Sequence, residues 1–168
     1  MVTDGGTPWL DADERRTWLS LAALVSRLPA ALDAQLQADA GLTHYEYLVL
    51  AGLSEAPGRT CRMSELATFS NGSASRLSHV AGRLERRGYI TRRADPEDGR
   101  ATLATLTEAG WEKIEQVAPG HVTAVRAAVF DPLTRAQVRQ LHAICNRIHQ
   151  GLADLPAPCA GEVPPPVS

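Results

Sequence analysis

The sequence predicts a mainly α-helical protein of the α+β class, with six helices and one β-hairpin. Three observations predict this class. Apolar residues recur at helical spacing, Thr is followed three residues later by Glu or Gln at helix starts, and two Thr-rich apolar segments flank one charged turn. Of the 168 residues, 44 % are hydrophobic and 5 % aromatic, so we expect a core of Leu, Ala and Val. This length fits one domain, or one domain with an added dimerisation element.

The first helix is predicted from residue 10 or 11 to Asp39. Apolar side chains recur there at intervals of three and four residues, at Leu21, Leu24, Val25, Leu28, Leu32 and Leu36. Pro29 lies inside this segment and should kink the helix, because proline has no backbone N–H to donate. Gly41 should end it.

A second helix should follow at once. Thr43 and Glu46 have the spacing of a capping box, in which each side chain satisfies a backbone N–H at the start of a helix. The helix is expected to run through Ala56, because Pro57-Gly58 is a strong stop signal.

The next segment predicts two helices separated by a short break. A short helix is expected over residues 63–69, and the sequence SNGS interrupts the chain at 70–73. A longer fourth helix then runs to Arg87, before Gly88, with apolar residues at Leu77, Val80, Ala81 and Leu84. A short helix, a four-residue break and a longer helix form the helix-turn-helix layout.

A β-hairpin is predicted directly after the fourth helix. The segments YITRR (89–93) and RATLATL (100–106) are rich in Thr and apolar residues, and the turn ADPEDG (94–99) joins them. A hairpin in this place makes the helix-turn-helix a winged helix, with the hairpin as its wing.

Two more helices complete the prediction. Thr107 should cap the fifth helix, and Pro119-Gly120 should bend or briefly break it before Phe130. Thr134 and Gln137 form a second capping box, which starts the sixth helix. That helix carries a stripe of apolar side chains that suits another helix, one option being a helix of a second subunit. The stripe consists of Val138, Leu141, Cys145, Ile148 and Leu152.

The net charge of −2 hides an asymmetry along the chain. Residues 59–100 hold nine arginines and five acidic residues, a net charge of +4, whereas the rest holds eight basic and fourteen acidic residues. A basic middle segment within an acidic chain favours a polyanion-binding module. An ordinary solvated charged surface is the alternative.

The fourth helix has a polar face that suits the major groove of DNA. At about 100° per residue, Ser75 and His79 lie opposite the apolar stripe, flanked by Arg76 and Arg83. Small polar side chains and Arg are the residues that read base edges from a helix in that groove. Ser73 lies at the helix N-terminus, where a hydroxyl and backbone N–H groups can hold a phosphate. The alternative is a solvated helix face.

The wing carries its own set of basic residues. Arg92 and Arg93 lie on the incoming strand, and Arg100 follows the Asp98-Gly99 bend. An Arg at the tip of such an arm could enter a narrow minor groove, and Asp98 could accept its guanidinium group and fix its direction. The alternative is a hairpin end that charge merely keeps soluble.

These motifs resemble the MarR family of bacterial transcription regulators. The marks are MSELA at 63–67, RLERRG at 83–88, DGR at 98–100 and LTEAG at 106–110. The motif region covers about 50 residues, and the helical layout extends the resemblance over residues 10–154. One departure is Ser75-Arg76, where many members have small residues and Thr, so an operator sequence cannot be transferred from the family.

The resemblance implies an obligate homodimer that binds a palindromic operator in double-stranded DNA, usually as a repressor. It implies a helical dimerisation region (10–40 with 107–154) and a winged helix-turn-helix lobe (42–106). A flexible start (1–9) precedes them, and the Pro-rich composition of the tail (155–168) predicts disorder. The residues that it assigns to DNA recognition are Ser73, Ser75, Arg76 and His79, with Arg100 as the wing arginine and Asp98 as its support.

Many members of the family release DNA when a small aromatic effector binds between the dimerisation region and the DNA-binding lobe. Side chains expected near that junction here are Trp18, His44, Tyr45, Tyr47 and Trp111. The alternative is that these aromatic residues serve only packing.

Several functional classes lack support in the sequence. No apolar run approaches a membrane span, no signal peptide is evident, and three widely spaced cysteines suit a reducing cytoplasm. Neither a metal cluster, a cofactor motif nor a nucleophile–base pair is apparent, so an enzyme is not expected. Neighbouring arginines could lower the pKa of Cys61, but a buried unreactive thiol is favoured; Cys145 is expected in the core and Cys159 in the tail.

The leading hypothesis is therefore a dimeric, sequence-specific DNA-binding regulator, a repressor released by a small molecule. The alternative is a winged-helix module that binds another protein through the same lobe. A steep fall of affinity with salt would distinguish the DNA binder, because each phosphate contact adds about 0.9 to the slope of log K against log salt.

Overall fold

The computed structural model describes Gly6 and residues 8–153, so the predicted Pro-rich tail and most of the predicted flexible start lie outside the described residues. The predicted mainly helical fold of six helices is confirmed. The helices are α1 (Ala12–Ala40), α2 (His44–Glu55), α3 (Met63–Phe69), α4 (Ala74–Arg86), α5 (Glu108–Val125) and α6 (Arg135–Ala153). The strands are β1 (Thr60–Arg62), β2 (Ile90–Ala94) and β3 (Thr102–Leu106).

The described residues form two compact units, one up to Val125 and one from Arg126 onward. The first unit has one continuous core to which α1, α2, α4, α5 and the sheet all contribute. Its fully buried side chains include Leu36, Leu50, Leu53, Leu77, Leu84 and Ile90, and Ile114 and Val117 add the contribution of α5. The sequence-based division into a dimerisation region and a DNA-binding lobe stays a prediction.

Side-chain caps fix where the helices begin, as the capping-box patterns predict. The Thr43 hydroxyl accepts the Glu46 N–H at 3.1 Å, and the Glu46 carboxylate accepts the Thr43 N–H at 2.8 Å. Thr134 and Gln137 make the same reciprocal pair at the start of α6. Each box satisfies backbone N–H groups that a helix start leaves without a partner.

The predicted hairpin is confirmed, and a third strand joins it. β3 pairs with β2 on one side and with β1 on the other, both antiparallel. β1 was not predicted, because a strand of three residues is too short to show an alternating pattern. β1 links the start of α3 to the wing, so the wing belongs to the sheet of the lobe.

Pro119-Gly120 was predicted to bend or briefly break the fifth helix, and the break does not occur. α5 continues through both residues to Val125, and a π-helical turn follows at Arg126–Phe130. The buried side chains of Ile114, Val117 and His121 hold α5 in the core, and this packing outweighs the hydrogen bond that the proline cannot make. α1 likewise continues through Pro29.

Candidate nucleic-acid interface

The N-terminus of α4 follows a tight turn. The Ser73 hydroxyl caps the helix by accepting the Arg76 N–H at 3.2 Å. Asn71 has a left-handed backbone conformation with φ of 49°, and the Gly72 N–H donates to the Ala67 carbonyl at 3.0 Å. The turn thereby sets the angle at which α4 leaves α3.

α4 presents the polar face that its sequence predicts. Ser75, Arg76 and His79 are exposed, and Leu77, Val80, Ala81 and Leu84 are buried against the lobe. Ser78, which was not among the predicted DNA contacts, is also exposed and adjoins the wing. Its place three residues after Ser75 was the available signal.

Two of the arginines assigned to DNA form ion pairs within the chain. Arg83 donates to Glu46 at 3.2 Å, which ties α4 to the cap of α2. Arg92 donates to Glu85 at 2.6 Å and 3.0 Å, and these hydrogen bonds hold the pKa of Glu85 below its ordinary value. Both guanidinium groups are thus engaged in the unbound chain, and their contact with DNA stays a prediction.

The turn of the wing is held by a buried carboxylate that the sequence did not predict. Asp95 accepts the Glu97 N–H at 2.9 Å and the Arg62 guanidinium at 2.8 Å and 2.9 Å. The backbone N–H of Glu97 is the main cause of the lowered pKa of Asp95, and Arg62 lowers it further. Because Arg62 lies on β1, this pair joins the third strand to the turn of the wing.

The predicted role of Asp98 needs correction. Its carboxylate accepts the backbone N–H of Arg100 at 3.1 Å rather than the guanidinium group of that residue. An aspartate carboxylate readily accepts a hydrogen bond from the backbone N–H two residues later in the chain, and this hydrogen bond forms the turn. Asp98 therefore shapes the tip of the wing, and the Arg100 side chain is exposed beyond it.

A groove of about 400 Å³ lies between the wing and α4. It is lined by Arg62, Arg92 and Arg100, by the hydroxyl-bearing Ser64 and Ser78, and by Asp98 at the tip of the wing. Guanidinium and hydroxyl groups are the donors that bind phosphate oxygens in protein–DNA complexes. The groove thus has the chemistry of a site for the nucleic-acid backbone, next to the exposed face of α4.

Two of the five residues expected near an effector lie together. His44 and Tyr45 line a cavity of about 640 Å³ between α1, α2 and α4, with Arg76 and Arg83 on its α4 side. Tyr47 is buried and packs on His121 at 4.2 Å between ring centroids. Trp111 lies under the Arg59 guanidinium at 3.9 Å, and Trp18 is exposed on α1.

The described cysteines show no sign of an activated thiol. Burial raises the pKa of the Cys61 thiol, and Glu65 raises it further, which agrees with the unreactive alternative. Cys145 is exposed in the single chain instead of lying in a core, and Cys159 is outside the described residues. Within residues 8–153, no group of three potential metal-ligating side chains comes together. None of the described helices is long and apolar enough to cross a membrane.

Comparison with known proteins agrees with this geometry. The MarR family model matches residues 40–101, which include α2, the helix-turn-helix and most of the wing. Sco3205 is a MarR family transcriptional regulator from Streptomyces coelicolor whose crystal structure was determined in complex with DNA. Its sequence is 44 % identical to this chain, and the two structures superpose with a TM-score of 0.83. The match covers 88 % of this chain and 98 % of that one. The chain belongs to the MarR family.

Two further relatives are also transcriptional regulators. AbsC, a MarR family transcriptional regulator from Streptomyces coelicolor, is 36 % identical with a TM-score of 0.83, over 89 % of this chain and all of that one. The Bacillus subtilis regulator YdcH is 36 % identical over 84 residues, which are 49 % of this chain and 57 % of YdcH. The MarR-family relatives are transcriptional regulators, so this chain is placed among regulators and not among enzymes.

Proposed function

We propose that this MarR-family chain is a cytoplasmic transcription regulator that binds a palindromic operator as a homodimer and represses transcription. One observation carries the proposal: the exposed Ser75, Arg76 and His79 of α4 lie beside a groove that Arg100 and two other arginines line. Base-reading and phosphate-binding side chains are therefore adjacent on one surface. Sco3205, which is 44 % identical, was solved in complex with DNA.

In the proposed mechanism, α4 and the wing contact different parts of the DNA. α4 enters the major groove, where Ser75, Arg76 and His79 meet base edges. The wing follows the backbone beside it, with Arg93 on the strand and Arg100 at the tip, and Arg100 reaches the minor groove. Phosphate groups bind Arg100 and the neighbouring serine hydroxyls of the groove, and the N-terminus of α4 at Ser73.

Large apolar side chains on α1 and α6 support the homodimer. Trp18 and Val25 on α1 and Ile144, Ile148 and Leu152 on α6 are each exposed in the single chain. Apolar stripes of this kind on long helices suit partner helices, here those of a second copy. Two-fold symmetry would place the two copies of α4 about 34–36 Å apart, in successive major grooves.

The cavity between α1, α2 and α4 is the proposed effector site. His44 offers a partly exposed aromatic ring, and Arg76 offers a positive charge that no described carboxylate pairs with. Arg83 is paired with Glu46, and Asp33 also lines the cavity. A small aromatic compound that carries an anionic group would satisfy both kinds of contact. Because Arg76 also belongs to the DNA-reading face, a bound effector would compete with the operator for it and release the DNA.

Selection of bound duplexes from a random pool tests the function. The expected result is a two-fold symmetric consensus with half-sites about one helical turn apart. Affinity for that consensus should fall steeply with salt, by about 0.9 in the slope of log K against log salt for each phosphate contact. A scrambled duplex of equal length is the matched control.

The protein-binding alternative predicts the opposite outcome. A winged helix that docks on another protein should enrich no sequence and should bind duplexes weakly and without discrimination. Failure of the purified dimer to retain any duplex at low salt would exclude the DNA-binding proposal.

A further inference from the structure

Tyr45 occupies an unusual place beneath the helix-turn-helix. It is the second residue of α2, and only 6 % of its surface is exposed. Its hydroxyl lies 2.9 Å from the Ser70 hydroxyl, to which it is hydrogen-bonded. A Cβ atom at Gly72 would be 1.9 Å from the same hydroxyl, so the phenol fills the space that any side chain at position 72 would need. The turn between α3 and α4 therefore packs directly against the side chain of Tyr45.

The ring of Tyr45 also packs against the guanidinium group of Arg76. The Arg76 guanidinium carbon lies 4.2 Å from the ring centroid, within the range of a cation–π interaction. Among the described residues, no carboxylate pairs with Arg76, whereas Arg83 pairs with Glu46 and Arg92 with Glu85. Arg76 is thus the arginine of α4 whose direction is set by an aromatic face.

An aromatic partner has a different consequence from a carboxylate. A carboxylate neutralises the guanidinium group and occupies its N–H donors, whereas a ring face attracts the cation and leaves the donors along the guanidinium edge free. An arginine held in this way keeps its charge and its fork of donors for a ligand. It also loses less side-chain freedom on binding than an unrestrained arginine.

We propose that Tyr45 is a positioning residue for DNA recognition: its ring orients the Arg76 guanidinium group at the start of α4, and this orientation sets the base preference at one operator position. This inference rests on the proposed function, because it assumes that α4 reads an operator. It adds a residue that lies outside the DNA-facing surface and acts through Arg76. Operator choice then depends on α2 as well as on α4.

A double-mutant cycle tests the proposal on the selected operator duplex and on variants of each base pair. Tyr45→Phe keeps the ring and should bind within about twofold of the wild type. Tyr45→Leu removes the ring and should lose about tenfold in affinity, the scale of one good base contact. It should relax the base preference at the same position as Arg76→Ala, and the double variant should bind no more weakly than Arg76→Ala alone.

A purely structural role for Tyr45 predicts a different pattern. The losses from Tyr45→Leu and Arg76→Ala would then add, and the base preference of Tyr45→Leu would remain that of the wild type. Either result overturns the proposal. The wild type is measured first: if it binds no operator, the proposed function fails, whereas additivity in a chain that binds DNA overturns the role of Tyr45 alone.

A second comparison applies if Tyr45→Leu does not fold, which the loss of a cooperative unfolding transition would show. Phenylalanine with fluorinated ring positions, incorporated at residue 45, keeps the packing of Tyr45→Phe but weakens the negative face of the ring. It should lower operator affinity severalfold relative to Tyr45→Phe, and this difference should vanish when Arg76→Ala is also present. Equal affinities of the two aromatic variants in the wild-type Arg76 background would overturn the proposal.

Discussion

The arginines of the basic segment differ in what their guanidinium groups contact. Arg62, Arg83 and Arg92 each pair with a carboxylate of the same chain. Arg93 and Arg100 are exposed, and no carboxylate within the described residues pairs with either. The positive charge of the segment therefore divides into a part that stabilises the lobe and a part that remains free for a polyanion.

Arg100→Ala should weaken operator binding without unfolding the chain. The side chain is exposed at the tip of the wing, so we expect a several-fold loss of affinity and a salt slope smaller by about 0.9. Fluorescence anisotropy over a range of salt concentrations measures both quantities. Arg126→Ala, at an exposed arginine outside the basic segment, is the control. An unchanged affinity for Arg100→Ala would remove the wing tip from the mechanism.

Asp95→Asn should destabilise the lobe in a pH-dependent way. The pKa of Asp95 is lowered in the folded chain, so its contribution is present above the unfolded pKa of about 3.9 and is lost as pH falls through the folded pKa. The difference in stability between the wild type and Asp95→Asn should therefore shrink as pH falls.

Melting temperatures between neutral and acidic pH measure this difference. Glu97→Gln serves as the control, because its side chain is exposed and its backbone N–H still reaches Asp95. Parallel melting curves of the wild type and Asp95→Asn over the whole pH range would show that the carboxylate contributes nothing.

At the scale of elements, close approach decides where α5 can lie. The N-terminus of α5 passes over the chain that leaves α4: a Cβ atom at Gly110 would be 2.1 Å from the Tyr89 carbonyl oxygen. The Thr107 hydroxyl, which caps α5, donates to the Gly88 carbonyl at 2.6 Å. These two contacts fix the helix start against the wing, and they explain why a glycine occupies position 110.

Gly110→Ala should destabilise the fold, whereas Gly120→Ala in the same helix should not. The methyl group at 110 meets backbone atoms, so we expect a cost of about 1–3 kcal/mol. At 120 the nearest atoms are 3.7 Å away, an ordinary contact, and replacing a helical glycine should stabilise by about 0.5–1 kcal/mol. Urea unfolding of both variants measures the contrast, and equal stabilities would contradict the close approach at Gly110.

At the scale of the whole molecule, the single chain leaves long apolar surfaces uncovered. Ile148 and Leu152 on α6 are 43 % and 58 % exposed, and Trp18 on α1 is 56 % exposed. Soluble monomers seldom leave large apolar side chains exposed in stripes. The proposed homodimer would cover these surfaces and would place two copies of α4 on one duplex.

Ile148→Glu should convert the dimer into a monomer, because a carboxylate within an apolar helix seam is strongly unfavourable. Operator affinity should fall steeply, since each monomer contacts only one half-site. Light scattering and duplex binding measure both effects, with Gln150→Glu on the same helix as the control. A variant of Ile148 that remains dimeric would show that the seam lies elsewhere.

The sequence by itself determined the helices, their caps and the hairpin. Thr43, Thr134 and the stop at Gly41 act over three or four residues, and the apolar stripe of α4 repeats every turn, so these features depend on local chemistry that a sequence displays. The same local pattern predicted that Ser75, Arg76 and His79 share an exposed face, because helix geometry alone fixes it.

Only the tertiary structure decided which charges remain free and which strands pair. The pairing of Arg62 with Asp95 spans 33 residues, and that of Arg83 with Glu46 spans 37, so no local spacing reveals either. The third strand exists because β3 offers it an edge, and α5 continues through Pro119 because its buried face is packed. The support of Arg76 by Tyr45 belongs to the same class: contacts between distant segments depend on how the core brings them together.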